Sequence, residues 1–185
     1  KGYEADDVIG MLSNLSTEEK TEVIIVSGDK DFAQLVDDNV KMFDPMKDVT
    51  YDIPKVNEKW GVRPNQIIDY LSIVGDASDN VPGVKGVGPK GAVKLLSEYQ
   101  TLEAIYENIE EIGPKGTKAK LIDSKEKAFL SKELVTIVRD NKTEVKHIED
   151  LRWGGIDFTK LDPLLEELEF KNLGKRLQKD SDYVG

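Results

Sequence analysis

The sequence predicts an α/β fold with a parallel sheet at its start, followed by a helical part. The main strand signal is Val23–Val26, an unbroken run of β-branched residues of the kind found in a buried parallel strand. Helical patterns flank this run and a second strand pattern follows it, which indicates an α/β unit. From Pro54 onward the strand patterns end. We therefore expect an α/β part over residues 1–53 and a helical part over residues 54–185.

Each element of the α/β part has its own local signal. A helix is predicted over residues 4–15, because apolar side chains recur on one helical face at Val8, Ile9, Leu12 and Leu15. Acidic residues in its first turn favour a helix N-terminus. The Ser-Gly-Asp sequence at 27–29 ends the first strand, a short helix is expected from Asp31, and residues 40–43 predict a second strand.

Proline positions and apolar spacing predict the helices of the second part. The first two carry proline near the start, a position where a missing N–H is tolerated, and Thr101 is the expected cap of a later helix. In chain order, helices are predicted over residues 54–61, 64–75, 90–96, 101–109, 124–139 and 162–173.

Composition excludes several classes of protein. The chain of 185 residues has no cysteine, hence no disulfide and no thiolate site, and its single histidine, His147, argues against a Ser/His triad or a histidine metal site. No apolar run approaches the ~20 residues of a membrane helix, so no membrane partner is expected. The formal net charge of −10 argues against a general nucleic-acid binder, although the charges are segregated along the chain. Catalysis would have to use carboxylates, lysines or a metal.

Three clusters of acids stand beside predicted turns or helix starts, and we expect them to converge on one pocket. Hard cations such as Mg²⁺ bind oxygen ligands, and two such ions can clamp the attacking and leaving oxygens of a phosphoryl displacement. The alternative for each cluster is ordinary stabilisation of a helix N-terminus or a turn. The clusters are Glu4, Asp6 and Asp7, then Asp29 and Asp31, then Asp76 and Asp79.

Residues 80–98 combine glycine, proline and lysine directly after the third acidic cluster. Gly86 and Gly88 are expected to permit a tight turn with positive φ, and a helix that begins near Pro89 would aim its N-terminus at the same place. Flanking lysines would add phosphate contacts, at Lys85, Lys90 and Lys94. The alternative is a plain turn between two helices. The acid-poor segment over residues 115–132 either extends this surface or is a solvated helix face.

Three motifs, in this order, resemble one family. They read GYEADDVIG at 2–10, SGDKDFAQLV at 27–36 and VGDASDNVPGVKGVGPKGAVKLL at 74–96. With NEKWGVRPNQIIDYLSIVG and the closing LEFKNLGKRL, nearly the whole chain is similar to the 5′→3′ exonuclease domain of bacterial DNA polymerase I, in the flap endonuclease family. The resemblance implies a PIN-like nuclease sheet, truncated here, followed by a helix–hairpin–helix subdomain with its hairpin at about 80–98.

The resemblance also implies a reaction and a ligand set. Two Mg²⁺ ions, for which Mn²⁺ can substitute, would hydrolyse a phosphodiester at the junction of a 5′ single strand and a duplex. By the family pattern the first metal site takes Glu4, Asp6 and Asp7, the second takes Asp76 and Asp79, and Asp29 and Asp31 serve both sites or lie between them. The hairpin would grip duplex DNA, with a K⁺ ion on its carbonyls. Lys30 either contacts the phosphate or pairs with neighbouring acids.

The chain departs from the family pattern at its start. In the family, a longer N-terminal segment supplies the first strand, two further aspartates and a helical arch that threads the single-stranded flap. We therefore expect this fragment to be weak or inactive alone, unless that segment is present as another chain.

The expected partners are 5′-flap or nicked duplex DNA and a polymerase domain fused downstream of Gly185. The protein would act in the nucleoid of the bacterial cytoplasm. Its task would be the removal of primers and flaps in replication and repair. The alternatives are a non-catalytic helix–hairpin–helix module that binds duplex DNA, and a standalone flap endonuclease without a polymerase.

Overall fold

The computed structural model describes residues 2–140, 144–170 and 172–181. The chain divides into two compact units, Lys1–Ile148 and Glu149–Gly185. Within the described ranges, no helix is both long enough and apolar enough to cross a bilayer.

A small mixed sheet forms the first part of the larger unit. Its strands are β1 (Val23–Val26), β2 (Val40–Asp44) and β3 (Val49–Tyr51), in that spatial order. β1 pairs with β2 in parallel, with Val23 opposite Val40, as the sequence predicted, and β2 pairs with β3 antiparallel. The expected parallel pairing is confirmed for β1 and β2, and β3 adds an antiparallel strand that makes the sheet mixed. β3 was missed because it has three residues, too few to give an alternating pattern.

The other regular elements of the described ranges are helices. α1 begins after Glu4, and a 3₁₀ helix over Lys30–Leu35 follows β1. The α-helices are α1 (Ala5–Glu18), α2 (Ile53–Trp60), α3 (Ile67–Val74), α4 (Pro89–Tyr99), α5 (Leu102–Glu107), α6 (Lys115–Asp123), α7 (Lys125–Val135), α8 (Phe158–Glu167) and α9 (Leu173–Ser181). Thr101 caps α5 as predicted, since its side chain accepts a hydrogen bond from the N–H of Ala104.

Two helix predictions were too long or misplaced. The helix predicted over residues 124–139 ends at Val135, because the next N–H groups bond elsewhere: Ile137 donates to Gln34 Oε1 and Val138 donates to Asp7 Oδ1. The last predicted helix, over residues 162–173, is instead α8, which starts at Phe158, and α9, which starts at Leu173. Lys171, inside that prediction, lies outside the described residues.

One hydrophobic core runs from β2 through α3 and α4 to α7. Gln34 joins the two ends of this core, since its side chain donates to Val135 O at 2.8 Å and accepts from the N–H of Ile137 at 3.0 Å. Lys132 on α7 forms ion pairs of 2.7 Å with buried Asp69 on α3 and with Glu103 on α5. These ties fix the end of α7 beside the 3₁₀ helix and hold α7 against α3 and α5.

In the smaller unit, α8 and α9 pack against each other. Asp157 caps α8 by accepting from the N–H of Thr159, and Glu169, with φ of +57°, marks the turn after it. Leu165 is the buried side chain of this pair, and Gly174 lies close against it.

Candidate metal centre and nucleic-acid interface

Acids from all three clusters line one pocket of about 330 Å³, although the third cluster contributes only Asp79. Residues 134–137, at and just after the end of α7, also line it. The carboxylates that line it are those of Glu4, Asp6, Asp7, Asp29, Asp31 and Asp79. We call this cavity the acid pocket. It brings together acids that lie far apart in the chain, as the sequence predicted for a single pocket.

Local turns hold the second and third clusters in place. Asp29 caps the 3₁₀ helix, and its carboxylate accepts a 3.0 Å hydrogen bond from the N–H of Asp31. Asp76 exchanges backbone hydrogen bonds with Val81, so the loop between them, with Asp79 near its tip, closes on itself. Asp76 is buried, whereas Asp79 is exposed. The side chain of Asp29 therefore closes one turn, and the backbone of Asp76 closes the other.

The negative charges of separate clusters are close enough to raise one another's pKa values. Burial raises the pKa of Asp31 to about 6, and the negative charge of Asp29 adds to this shift. The pKa of Asp6 is raised by burial first and then by Asp29, with a further contribution from Asp79. In addition, Asp31 Oδ1 is buried without a hydrogen-bond partner among the described residues. A partly buried group of like charges with an unpartnered oxygen fits a bound cation.

Lys30 pairs with Asp76, and both residues line the cavity of about 440 Å³ next to the acid pocket. The bond to Lys30 holds the pKa of Asp76 below its usual range. Burial lowers the pKa of Lys30, but the hydrogen bond to Asp76 together with the negative charges of Asp76, Asp31 and Asp79 outweighs burial and raises this pKa. Of the two alternatives for Lys30, the pairing with an acid is the one found in this structure. A phosphate contact stays a prediction.

Not every predicted ligand is equally available. Asp7 uses both oxygens internally: Oδ2 accepts from the N–H of Glu4 at 3.0 Å and Oδ1 accepts from the N–H of Val138 at 2.9 Å. Within the described residues, no group of three or more His, Cys, Asp or Glu side chains is arranged so that it could hold a metal ion. The acids converge without forming a compact ligand cluster, and the assignment of individual ligands stays a prediction.

A second cavity of about 440 Å³ adjoins the acid pocket and shares Asp29 and Asp79 with it. Its remaining wall includes Asp44, at the end of β2, whose carboxylate pairs with Lys47. Sequence reasoning missed Asp44. The signal was available, because Asp44 ends the strand parallel to β1, and carboxyl ends of parallel strands meet at one edge of the sheet.

The predicted hairpin lies between α3 and α4, and the backbone conformation of one of its glycines differs from the prediction. Gly86 has φ of +78°, as expected, but Gly88 has φ of −93° and serves as the N-cap of α4. The prediction of positive φ at Gly88 was therefore wrong, because that residue starts the helix and does not close the turn. The lysines of the hairpin, Lys85, Lys90 and Lys94, are all exposed.

Lys120 makes a contact with this hairpin that the sequence did not reveal. Its ammonium on α6 donates to Gly86 O at 2.8 Å. One hairpin carbonyl therefore already has a cationic partner. The contact also places part of the acid-poor segment over residues 115–132 beside the hairpin.

Family models match the chain in two adjoining parts. Residues 1–61 match the 5′-3′ exonuclease N-terminal resolvase-like domain, and residues 62–159 match the 5′-3′ exonuclease C-terminal SAM fold. An α/β unit with converging carboxylates and a lysine-bearing hairpin defines the class of metal-dependent flap endonucleases. Within that class, the chain belongs to the 5′-3′ exonuclease family, in the form found in bacterial DNA polymerase I. The predicted division between residues 53 and 54 stays a prediction.

Relatives and solved structures agree with this membership. The chain is 46% identical over 183 residues to DNA polymerase I of Caldicellulosiruptor bescii. This match covers 96% of the chain and 21% of that protein. It is 43% identical to a 5′-3′ exonuclease of Aquifex aeolicus, over 96% of this chain and 60% of that protein. A structure of the bacteriophage T5 flap endonuclease with DNA and metal ions aligns with a TM-score of 0.67 at 27% identity, over 73% of this chain and 50% of that one. The chain thus spans about a fifth of its polymerase relative and three fifths of the exonuclease.

Proposed function

We propose that this chain is part of a structure-specific 5′ nuclease that hydrolyses phosphodiesters at the junction of a 5′ single strand and a duplex. Its task would be the removal of primers and displaced flaps in replication and repair. Family membership supports the reaction class, and the relative of this fold bound to DNA and metal ions supports the substrate class.

The observation that carries the proposal is the convergence of three acidic clusters on one pocket. Burial raises the pKa of Asp31, and the like charge of Asp29 raises it further, so a bound cation would offset an unfavourable arrangement. The unpartnered Asp31 Oδ1 and the all-oxygen donor set suit Mg²⁺ or Mn²⁺. The donor chemistry therefore fits the implied metal.

We assign the ligands as the family pattern suggests, with two divalent ions. Glu4, Asp6 and Asp7 would hold the first, Asp76 and Asp79 the second, with Asp29 and Asp31 between them. Bound divalent ions would stabilise negative charge on the phosphate and lower the pKa of a water. The acids of the chain would hold these ions, and the hairpin lysines would hold the phosphate backbone of the duplex.

The hairpin supplies the grip on duplex DNA in this proposal. Its exposed lysines and the open N-terminus of α4 suit phosphate oxygens, which fix position without reading sequence. A K⁺ ion at the hairpin would compete with Lys120 for Gly86 O. The residues that share this surface are Lys85, Gly86, Gly88, Lys90 and Lys94.

We further propose that this chain alone is weak or inactive as a nuclease, because its described acids converge without forming a compact ligand cluster. A fused polymerase and a bacterial nucleoid setting are supported by the polymerase relatives, and a standalone nuclease by the Aquifex relative.

The test is the affinity of this chain for a 5′-flap duplex at low salt, with Ca²⁺ in place of Mg²⁺, compared with single-stranded DNA of the same length. We expect a clear preference for the flap duplex. Binding of neither DNA by folded chain would contradict the assignment of the hairpin.

A double variant of two of these acids distinguishes a nuclease from a non-catalytic DNA-binding module. Asp76→Asn with Asp79→Asn should abolish cleavage by the complete domain while duplex binding stays the same or improves. If the same change removed duplex binding, the acids would be structural, and the non-catalytic module would be the better account. Cleavage that persisted in this variant would refute the metal assignment.

A further inference from the structure

One segment contacts the support of all three acidic clusters. It consists of residues 131–138, the end of α7 and the three residues after it, and we call it the α7 strap. For the third cluster, buried Ser131 Oγ accepts a 2.9 Å hydrogen bond from the N–H of Gly83, which follows the loop of that cluster. For the first cluster, the N–H of Val138 donates to Asp7 Oδ1 at 2.9 Å. The strap therefore reaches from the loop of one cluster to a carboxylate of another.

Gln34 joins the strap to the second cluster and has its whole amide engaged. Its Nε2 donates to Asp31 O at 2.9 Å and to Val135 O at 2.8 Å, and its Oε1 accepts from the N–H of Ile137 at 3.0 Å. Because carbonyls accept and an N–H donates, these partners allow the amide one orientation only. Three bonds to one small group hold the strap at a fixed distance from the backbone of Asp31.

These bonds connect the first and second clusters without a gap. The series begins at Asp7, passes through the backbone of Val138 and Ile137 to Gln34, and ends at Asp31. Residues of the strap also line the acid pocket itself. The two clusters are therefore connected through the wall of the pocket that they share.

The strap cannot shift without moving α1, the helix that starts at the first cluster. A Cβ added at Gly10 of α1 would lie 2.6 Å from Ile137 Cγ2 and 3.0 Å from Val138 O. The chain therefore passes directly over the helix at the one residue type that permits so close an approach. Any displacement of the strap would change the separation between the first and second clusters.

The acids need such a support because they carry like charges. When no cation is bound, mutual repulsion of the carboxylates in the acid pocket favours a wider separation. A divalent cation, in contrast, takes its oxygens within one coordination shell, at about 2.0–2.6 Å. The bonds of the strap oppose the repulsion, so the clusters are held together before an ion arrives.

We propose that Gln34 is a positioning residue of the metal centre, which holds the first and second acidic clusters, through the α7 strap, at the separation that a divalent ion requires. This inference rests on the proposed metal centre. Gln34 acts through Asp7 and Asp31 and supplies no ligand of its own. If this tie favours the ion, the bound ion must favour the tie by the same factor.

The test is calorimetric titration of the full chain with Mn²⁺, before and after Gln34→Met. Methionine is similar in length and volume but donates no hydrogen bond and accepts only weakly. Gln66→Met is the matched control: partly buried Gln66 also accepts from one backbone N–H and donates to two carbonyls, those of Leu96 and Gln100. It lines neither the acid pocket nor the adjoining cavity. Thermal denaturation establishes that each variant is folded at the temperature of the titration.

We expect Gln34→Met to weaken Mn²⁺ binding by about tenfold, the lower end of the range for groups that orient metal ligands. Gln66→Met should bind Mn²⁺ as the parent chain does. Equal Mn²⁺ affinity of the Gln34 variant and the parent would overturn the inference and leave the metal centre intact. An equal loss in both glutamine variants would also overturn it, because general destabilisation would then explain the effect. Absence of Mn²⁺ binding by the parent would count against the metal centre itself.

Hydrogen exchange on the unmodified chain tests the same tie without a substitution, which matters if Gln34→Met does not fold. Saturating Mn²⁺ should slow exchange about tenfold in peptides that contain Ile137 and Val138, the reciprocal of the expected change in affinity. Peptides that contain Arg63, whose N–H donates to Gln66, should exchange at the same rate with and without Mn²⁺. Exchange at Ile137 and Val138 that is unaffected by Mn²⁺, in a chain that binds the ion, would refute the role of Gln34.

Discussion

The Gly83→Ala change should destabilise the chain more than any surface substitution, because the added Cβ would displace the backbone that supports the loop with Asp76 and Asp79. Gly83 has φ of +60°, and a Cβ there would lie 2.6 Å from Gly75 N and 2.8 Å from Val74 C. These are backbone atoms, which cannot rotate away. The N–H of Gly83 also donates to buried Ser131 Oγ at 2.9 Å, which ties it to α7.

The expected cost has two parts. A left-handed backbone conformation costs a residue with a Cβ about 1–2 kcal/mol. A forced shift of packed backbone adds about 1–3 kcal/mol, as in overpacked cores. Together they lower the free energy of unfolding by about 2–5 kcal/mol.

Urea denaturation followed by circular dichroism measures this difference. Gly116→Ala is the matched control, since Gly116 lies in α6 with no heavy atom within 4 Å of the added Cβ. That change should stabilise the chain by about 0.5 kcal/mol through helix propensity. A Gly83→Ala variant within 0.5 kcal/mol of the parent, about the size of an ordinary surface effect, would refute this account of the loop.

Three further outcomes are expected. Lys85→Ala with Lys90→Ala should weaken binding to all duplex sequences alike and flatten its salt dependence, measured by fluorescence anisotropy; an unchanged salt slope would remove the hairpin from the DNA interface. Lys120→Met should make duplex affinity more sensitive to the exchange of K⁺ for tetramethylammonium at equal ionic strength, because it frees a hairpin carbonyl; equal sensitivity in the parent would contradict competition between K⁺ and Lys120. Burial raises the pKa of Tyr106 to about 12, so the unfolded chain loses this proton first as pH rises above ~10, and stability should fall by about 2 kcal/mol between pH 10 and 12 relative to Tyr106→Phe. Parallel stability curves for the two proteins would show that the tyrosine does not titrate differently in the fold.

Elements with a strong local signal could be predicted from the sequence. Val23–Val26 is the strand that its β-branched run predicted, but only Ile25 of it is buried. The helix predicted from residue 4 is α1, but its buried residues are Gly10, Met11, Ser13 and Ser16, so the prediction of its apolar face was wrong. Acids from all three clusters share a pocket, as expected for acids at strand ends and helix starts. Local sequence therefore predicted the elements better than it predicted which side chains are buried.

The features that escaped prediction depend on distant partners. α7 ends at Val135 because Gln34 and Asp7, far away in sequence, take the next N–H groups. The contact of Lys120 with Gly86 joins two segments that no local pattern relates. Both oxygens of Asp7 accept hydrogen bonds within the fold, which makes Asp7 less available to a metal. For the same reason, this could not be predicted from the sequence.

The most direct test of the account is whether acids from separate clusters bind one set of divalent ions. Calorimetric titration with Mn²⁺ should be made on the parent chain, Asp31→Asn, Asp79→Asn and the double variant, with Asp123→Asn as an exposed acid outside both pockets. The account predicts that each site variant weakens Mn²⁺ binding, that the double variant loses less than the sum of the two, as expected for residues in one site, and that Asp123→Asn binds as the parent does. Mn²⁺ affinity that is the same in all five proteins would contradict a metal centre in the acid pocket.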